Sequence, residues 1–234
     1  LLCHIFIQHT AGLGSDQGKP DLWSSFLAEQ ALMRYAEISN RNGGITMRTQ
    51  ITYFDEEGKQ NTQETLALAK QRAQELGIRT VVLASSHGYT ALEAARVFSG
   101  TGIALIAVTI SAGFSELGWC MSADERAAVE NAGVTVLTSQ LSFGGGVEEA
   151  FGGDKSPQSI IAHTFYCFSQ GMKVAAEITV MAAEAGLIGT DEDVIALAGS
   201  SEGADTAIVL KPACAKQFKQ LRIKEILCKP IIGS

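Results

Sequence analysis

The sequence predicts an α/β domain built on a mainly parallel sheet covered by helices on both faces. Three observations predict it. Apolar runs of strand length alternate with longer stretches whose apolar residues recur every three or four positions. The 24 glycines outnumber the 4 prolines and tend to fall where a helical stretch stops or an apolar run ends, as many tight strand–helix turns require. Hydrophobic residues make up 46% of the chain and charged residues 18%, enough for strands buried on both sides.

Residues 1–46 read differently from the rest. Leu1–Ile7 is mostly apolar, Gly12–Pro20 is a loop, Trp23–Ile38 has moderate helical character, and Ser39–Gly44 is polar and Gly-rich. The folded domain is expected to span 47–234, with 1–46 a loosely packed extension or an upstream read-through from a misassigned start.

From Met47 onward the elements follow in order. Gln50–Phe54 is the core of a first short strand. Asn61, with Glu64 three positions on, fits a variant capping box, and Leu66, Ala69, Ala73 and Leu76 form the stripe of the helix that Gly77 ends. Thr80–Ala84 is a strand buried on both faces, Thr90–Phe98 a helix stopped by Gly100, and Ile103–Val108 a further buried strand. Ser122 caps a helix with Glu125 at its third position, and Val134–Leu137 is the next strand. Ser156-Pro157 opens one long helix expected to run to about Gly186, marked by Ile161, Phe165, Phe168, Met172, Ala175, Ala182 and Ala185. Val194–Ala198 and Ala207–Leu210 are strands joined by a Gly-rich turn, and Ile223–Cys228 is a last apolar segment.

Charge and cysteine usage exclude several classes. A net charge of -7 argues against a nucleic-acid grip and an anionic membrane surface. Five cysteines with no C-x-x-C pair argue against a disulfide framework and for a reducing cytoplasm. No apolar run is long enough to span a bilayer.

In parallel sheets ligands collect at the carboxyl ends of the strands, so the chemistry is sought in the strand exits. Ser85-Ser86-His87-Gly88-Tyr89-Thr90 leads straight into a helix. Helix-start amides carry partial positive charge, hydroxyls add donors, and Gly88 admits close approach, which together make a phosphate cradle. A capped polar turn is the ordinary alternative, and His87 reads equally as a proton-transfer group or a solvent-facing turn residue. The next exit carries Thr109, Ser111, Gly113 and Phe114, where Phe114 either stacks on a flat ring or plugs the core. Gly144, Gly145 and Gly146 follow Ser142-Phe143 and either wrap a ligand or form a flexible loop. Gly199, Ser200, Ser201, Gly203, Asp205 and Thr206 form a wide hairpin turn offering hydroxyls and amides, with Asp205 alternatively an Asx-turn residue.

Several motifs mislead. Gly199-Ser200-Ser201-Glu202-Gly203 fits G-x-S-x-G, but a strand rather than a helix follows it and no histidine follows Ser201. No Walker Gly-Lys-Ser/Thr is present, and Gly12-x-Gly14-x-x-x-Gly18 misses the dinucleotide fingerprint by one residue. His163 and Cys167 stand at i, i+4 without further ligands at metal spacing, so both read as packing residues and no metal site is assigned.

Taken together, Thr52-Tyr53-Phe54, Asn61–Leu66, Ala84–Ala91, Ser142–Glu148, Gly171-x-Lys173-Val174 and Ala198–Ala207 resemble the stand-alone proteins similar to the C-terminal α/β domain of pyruvate kinase. The likeness covers about residues 50 to 230. It implies a three-layer α/β/α sandwich. It also implies a phosphorylated ligand, because the loop matching Ser85–Thr90 helps hold a sugar bisphosphate effector in pyruvate kinase, and the stand-alone proteins are associated with FMN. The expected function is FMN binding, extending to a flavin-dependent oxidoreductase of unassigned substrate and catalytic residues. The alternatives are a non-catalytic sensor of a sugar phosphate and an accessory subunit assembling as a homo-oligomer through the long apolar helix. No part of the catalytic barrel is recognisable, so pyruvate kinase activity is not expected.

Overall fold

The computed structural model describes residues 48–231 apart from Gly145 and Asp154. The extension expected at 1–46 and the glycine motif at Gly12–Gly18 lie outside the described residues.

Among the described residues seven strands form one sheet: β1 (Thr52–Phe54), β2 (Thr80–Ala84), β3 (Ala104–Thr109), β4 (Thr135–Thr138), β5 (Val194–Ala198), β6 (Thr206–Lys211) and β7 (Arg222–Pro230). Their order across the sheet is β1-β7-β6-β5-β2-β3-β4. β6 runs antiparallel to β5 and β7, and every other pairing is parallel. The hairpin predicted between the fifth and sixth strands is present. The last apolar segment is longer than expected, nine residues from Arg222 to Pro230.

The helices are α1 (Thr62–Leu76), α2 (Tyr89–Val97), α3 (Ala123–Asn131), α4 (Pro157–Tyr166) and α5 (Gln170–Glu184). Strand side chains alternate between faces. Val81, Leu83, Leu105, Ala107, Ile195, Leu197 and Val209 share one core with Leu66, Ala69 and Ala73 of α1, Ala91 and Ala94 of α2 and Val129 of α3. Val82, Ile106, Val108, Ala196, Ala198 and Ile208 share the opposite core with Met172, Ala175, Ile178 and Met181 of α5. The result is the three-layer sandwich. α4 adds a partial outer shelf, its Ala162 clustering with Phe143 and with Ala176 and Val180 of α5.

Two local expectations hold in detail. Gly77 closes α1 at φ 67°, and Ser122 forms a reciprocal capping box with Glu125. Others need correction. The single helix expected from 157 to 186 is two helices. Ser169 breaks it in extended conformation, and its hydroxyl accepts the Met172 amide to start α5 afresh. Asn61 makes no side-chain cap; its Nδ2 donates to the Glu56 carbonyl, and Thr62 Oγ1 instead donates to the Lys59 carbonyl. His163 on α4 and Cys167 just after it are exposed, not packed, as are Phe168 in the break and Ala185 at the end of α5.

Candidate ligand-binding rim

Strand register sets which exits meet. Ala84 pairs with Val108, Val108 with Leu137, Thr109 with Thr138, Leu83 with Leu197, and Ala198 with Thr206. The exits of β2, β3, β4 and β5 therefore open on one edge. Phe54 pairs with Pro230 at the same end, which brings the β1–α1 loop there as well.

The Ser85–Thr90 loop is partly internal and partly open. Ser85 and Thr90 are buried, whereas Ser86 and His87 are exposed. Ser85 N continues the sheet by donating to Val108 O at 3.0 Å, and Ser85 Oγ accepts the Ala91 amide at 3.3 Å. The Leu92 amide donates to Gly88 O at 2.9 Å, so the amides of residues 86–90 lie ahead of that turn of α2. Gly88 caps the helix at φ 85°, a conformation that disfavours any residue with a Cβ. A Cβ there would also stand 2.9 Å from Val129 Cγ2 of α3. The same helix supplies Glu125, whose carboxylate lies 3.3 Å from His87 Nδ1. Donation from the Ser122 amide, then from the Ser122 hydroxyl, and lastly the nearby His87 hold Glu125 below the usual carboxylate range.

A second cluster gathers at the β5–β6 turn. Asp205 is fully buried, and its carboxylate accepts the Gly58 and Ser200 amides, each at 3.0 Å, and the Thr206 hydroxyl at 2.9 Å. This is long-range anchoring, not the local Asx turn that spacing allowed. Thr62 Oγ1 accepts the Ala204 amide at 3.0 Å, and Ser169 Oγ lies 3.2 Å from Thr206 Oγ1. Gly203 and Gly171 permit these approaches. A Cβ on Gly203 would meet Lys59 Cα at 2.8 Å, and one on Gly171 would overlap the Thr206 side chain. Among the described residues, Ser200 Oγ is a buried side-chain oxygen with no hydrogen-bond partner.

Lys59 joins the two clusters. Its Nζ lies 4.2 Å from the centroid of the Tyr89 ring and 3.4 Å from Glu202. The β3–β4 exits form a third group: Arg126 donates to Thr138 Oγ1 at 2.6 Å, and Thr138 Oγ1 lies 2.7 Å from Thr109 Oγ1. Thr109 and Ser111 are buried, Gly113 is exposed, and Phe114 is half-buried against Trp119 instead of plugging the core.

The glycine run behaves differently. Phe143 N donates to Glu177 on α5 at 2.6 Å, and the Phe143 ring packs on Phe165 and Phe218. Phe218 follows antiparallel β6, whose last residues lie opposite the start of β5, at the other end of the sheet from the strand exits. Phe143 is thus held on the outer face of α5, beside Ala176 and Val180. Gly144 lines a cavity of about 300 Å³ with Glu148, Glu149, Gly152, Gly153 and Ser159, an acidic lining unsuited to phosphate. Gly146 lies against Gln140 and Glu148, and Gly145 lies outside the described residues.

Lys59, Thr62, Arg126 and Ser169 were not singled out as candidates from sequence. The signal for Lys59 is its place between Gly58 and the start of α1, directly after a strand exit. Ser169 is signalled by its position two residues before the Gly171-x-Lys173 motif.

The fold and this rim define an α/β sandwich with hydroxyl, amide and glycine residues gathered at its strand exits. The family model described as pyruvate kinase, alpha/beta domain, matches residues 63–210, and the chain belongs to that family.

Proposed function

We propose that this chain binds a phosphorylated small molecule at the strand-exit rim, with FMN as the ligand and Ser85–Thr90 as its phosphate loop. The observation that carries the proposal is the Gly88 turn. At φ 85° it starts α2 directly behind the exposed Ser86 and His87, leaving the amides of residues 86–90 ahead of the helical bonding pattern. Lys59 beside Tyr89 adds positive charge close by. These donors fit a dianionic phosphate. The residues of 109–114 and 199–206 flank the remainder of the ligand, whereas Gly144–Gly146 are left out of the proposed site.

Bound FMN would supply hydride and single-electron chemistry, making the protein a flavin-dependent oxidoreductase of unassigned substrate. The chain's own contribution is orientation and local charge.

Mass spectrometry of small molecules released on denaturation, with titration of FMN and inorganic phosphate, tests the proposal. Ser86→Glu places a negative charge on an exposed loop residue and is expected to weaken both ligands at least tenfold without loss of fold. Unchanged affinity in S86E would place the phosphate elsewhere. Release of a sugar phosphate and no flavin would favour the metabolite-sensor alternative.

A further inference from the structure

The turn after β3 carries an exposed aromatic pair. Ala112–Leu117 is a short 3-10 segment, and Gly118 at φ 70° reverses the chain behind it. The reversal lays Trp119 on Phe114 with ring centroids 5.9 Å apart and planes 11° from parallel. Trp119 remains 49% exposed, and the neighbouring Leu117 57%. An indole that reaches a stacking partner yet keeps half its surface in water leaves part of a large apolar surface uncovered.

The pair is held in place from both sides. Cys120 Sγ donates to Ser111 O at 3.4 Å, tying the turn to the exit of β3. Three residues after Trp119, Ser122 enters the capping box with Glu125, whose carboxylate reaches His87. Three residues of chain span at most about 11 Å. Trp119 is thus presented within a short distance of the helix cap that touches the proposed phosphate loop.

Resting on that phosphate-loop proposal, we infer that Trp119, backed by Phe114, is the platform on which the flat heteroaromatic ring of the phosphorylated ligand stacks. The ligand class is therefore a flavin or nucleotide monophosphate, not a sugar phosphate. Ring stacking on an aromatic side chain is strong enough to dominate such a choice, while phosphate donors alone do not distinguish the two classes.

The test titrates the full chain with FMN, AMP, fructose 1,6-bisphosphate and inorganic phosphate, by calorimetry and by tryptophan fluorescence. The chain has two tryptophans, Trp23 and Trp119, and W119F isolates the signal of the first. FMN or AMP is expected to quench Trp119 and to bind more tightly than fructose 1,6-bisphosphate. W119A should weaken that ligand about tenfold. It should leave inorganic phosphate affinity and the circular dichroism spectrum unchanged, and W119F should restore tight binding. Which of the two ligands binds separates a flavin site from a nucleotide site. Equal affinity of W119A and the unaltered protein for FMN and AMP would overturn the inference. So would tighter binding of fructose 1,6-bisphosphate than of either aromatic ligand. Binding of inorganic phosphate with neither aromatic ligand would overturn this inference alone, whereas failure of every probe would overturn the phosphate loop and, with it, the platform.

Discussion

Asp205 Oδ2 accepts the amide of Gly58 at 3.0 Å, across 147 positions of chain, and so ties the β1–α1 loop to the β5–β6 turn. The same oxygen accepts Ser200 N, and Oδ1 accepts Thr206 Oγ1. Removing the carboxylate leaves the buried amides of Gly58 and Ser200 without an acceptor, each costing about 1–3 kcal/mol, and leaves the Thr206 hydroxyl with Ser169 Oγ as its neighbour. D205A is expected to lose more than about 3 kcal/mol in urea denaturation. D205N, which keeps an acceptor oxygen, should lose less. Equal stability of D205A and the unaltered protein would show the hub to be energetically idle.

Gly88 meets two constraints, its positive φ and the contact with Val129 Cγ2. G88A is expected to cost about 1–3 kcal/mol in thermal or chemical unfolding. V129A opens space on the facing helix, so the double variant G88A/V129A should be more stable than the sum of the single losses. Simple additivity would assign the whole cost to backbone strain.

Lys173 and Glu177 are buried one turn apart on α5, with Nζ donating to Oε2 at 2.6 Å while Oε1 accepts Phe143 N. K173M leaves an uncompensated buried carboxylate and is expected to cost about 3–5 kcal/mol. K173M/E177Q keeps an acceptor for Phe143 N without the stranded charge and should recover most of that loss. A double variant no better than K173M would refute this account of the pair.

Burial, offset only in part by its bond to Thr65 Oγ1, pushes the Cys228 thiol up to about 12. The folded state holds this proton more tightly than the unfolded chain. The associated stability is fully present below the ordinary value of 9.0 and is lost as pH rises towards 12. C228A should flatten the alkaline fall in stability. In mass-spectrometric thiol labelling at neutral pH, exposed Cys167 should react readily and buried Cys228 should stay unmodified until the protein unfolds. Comparable labelling of the two would contradict the burial of Cys228.

Much of the architecture is legible in the sequence because each layer carries its own period. Val81 to Leu83 and Ile195 to Leu197 are apolar throughout, which marks strands covered on both faces, and Leu66, Ala69 and Ala73 mark the covering helix. The strand exits follow from that alternation alone, which is why Ser85–Thr90 and Gly199–Thr206 could be placed on one rim. Contacts between distant residues were not legible. Nothing near Phe143 reveals that Glu177, 34 positions later, accepts its amide and holds it on α5. Lys59 is unremarkable until Tyr89 and Glu202 arrive beside it. The helix break at Ser169 was hidden because Phe165 and Met172, on its two sides, both pack in or against the same core, so the apolar stripe continues across the interruption.

The parallel pairing of β1 with β7, Thr52 opposite Cys228, has a consequence for biosynthesis. A ribosome must make nearly all of the sheet before the partner of β1 exists. Until then β1 has no neighbour among the described strands, and β6 presents bare amides and carbonyls where β7 will dock. Nascent chains stalled ahead of Arg222 would therefore be natural clients for chaperones that shield strand edges.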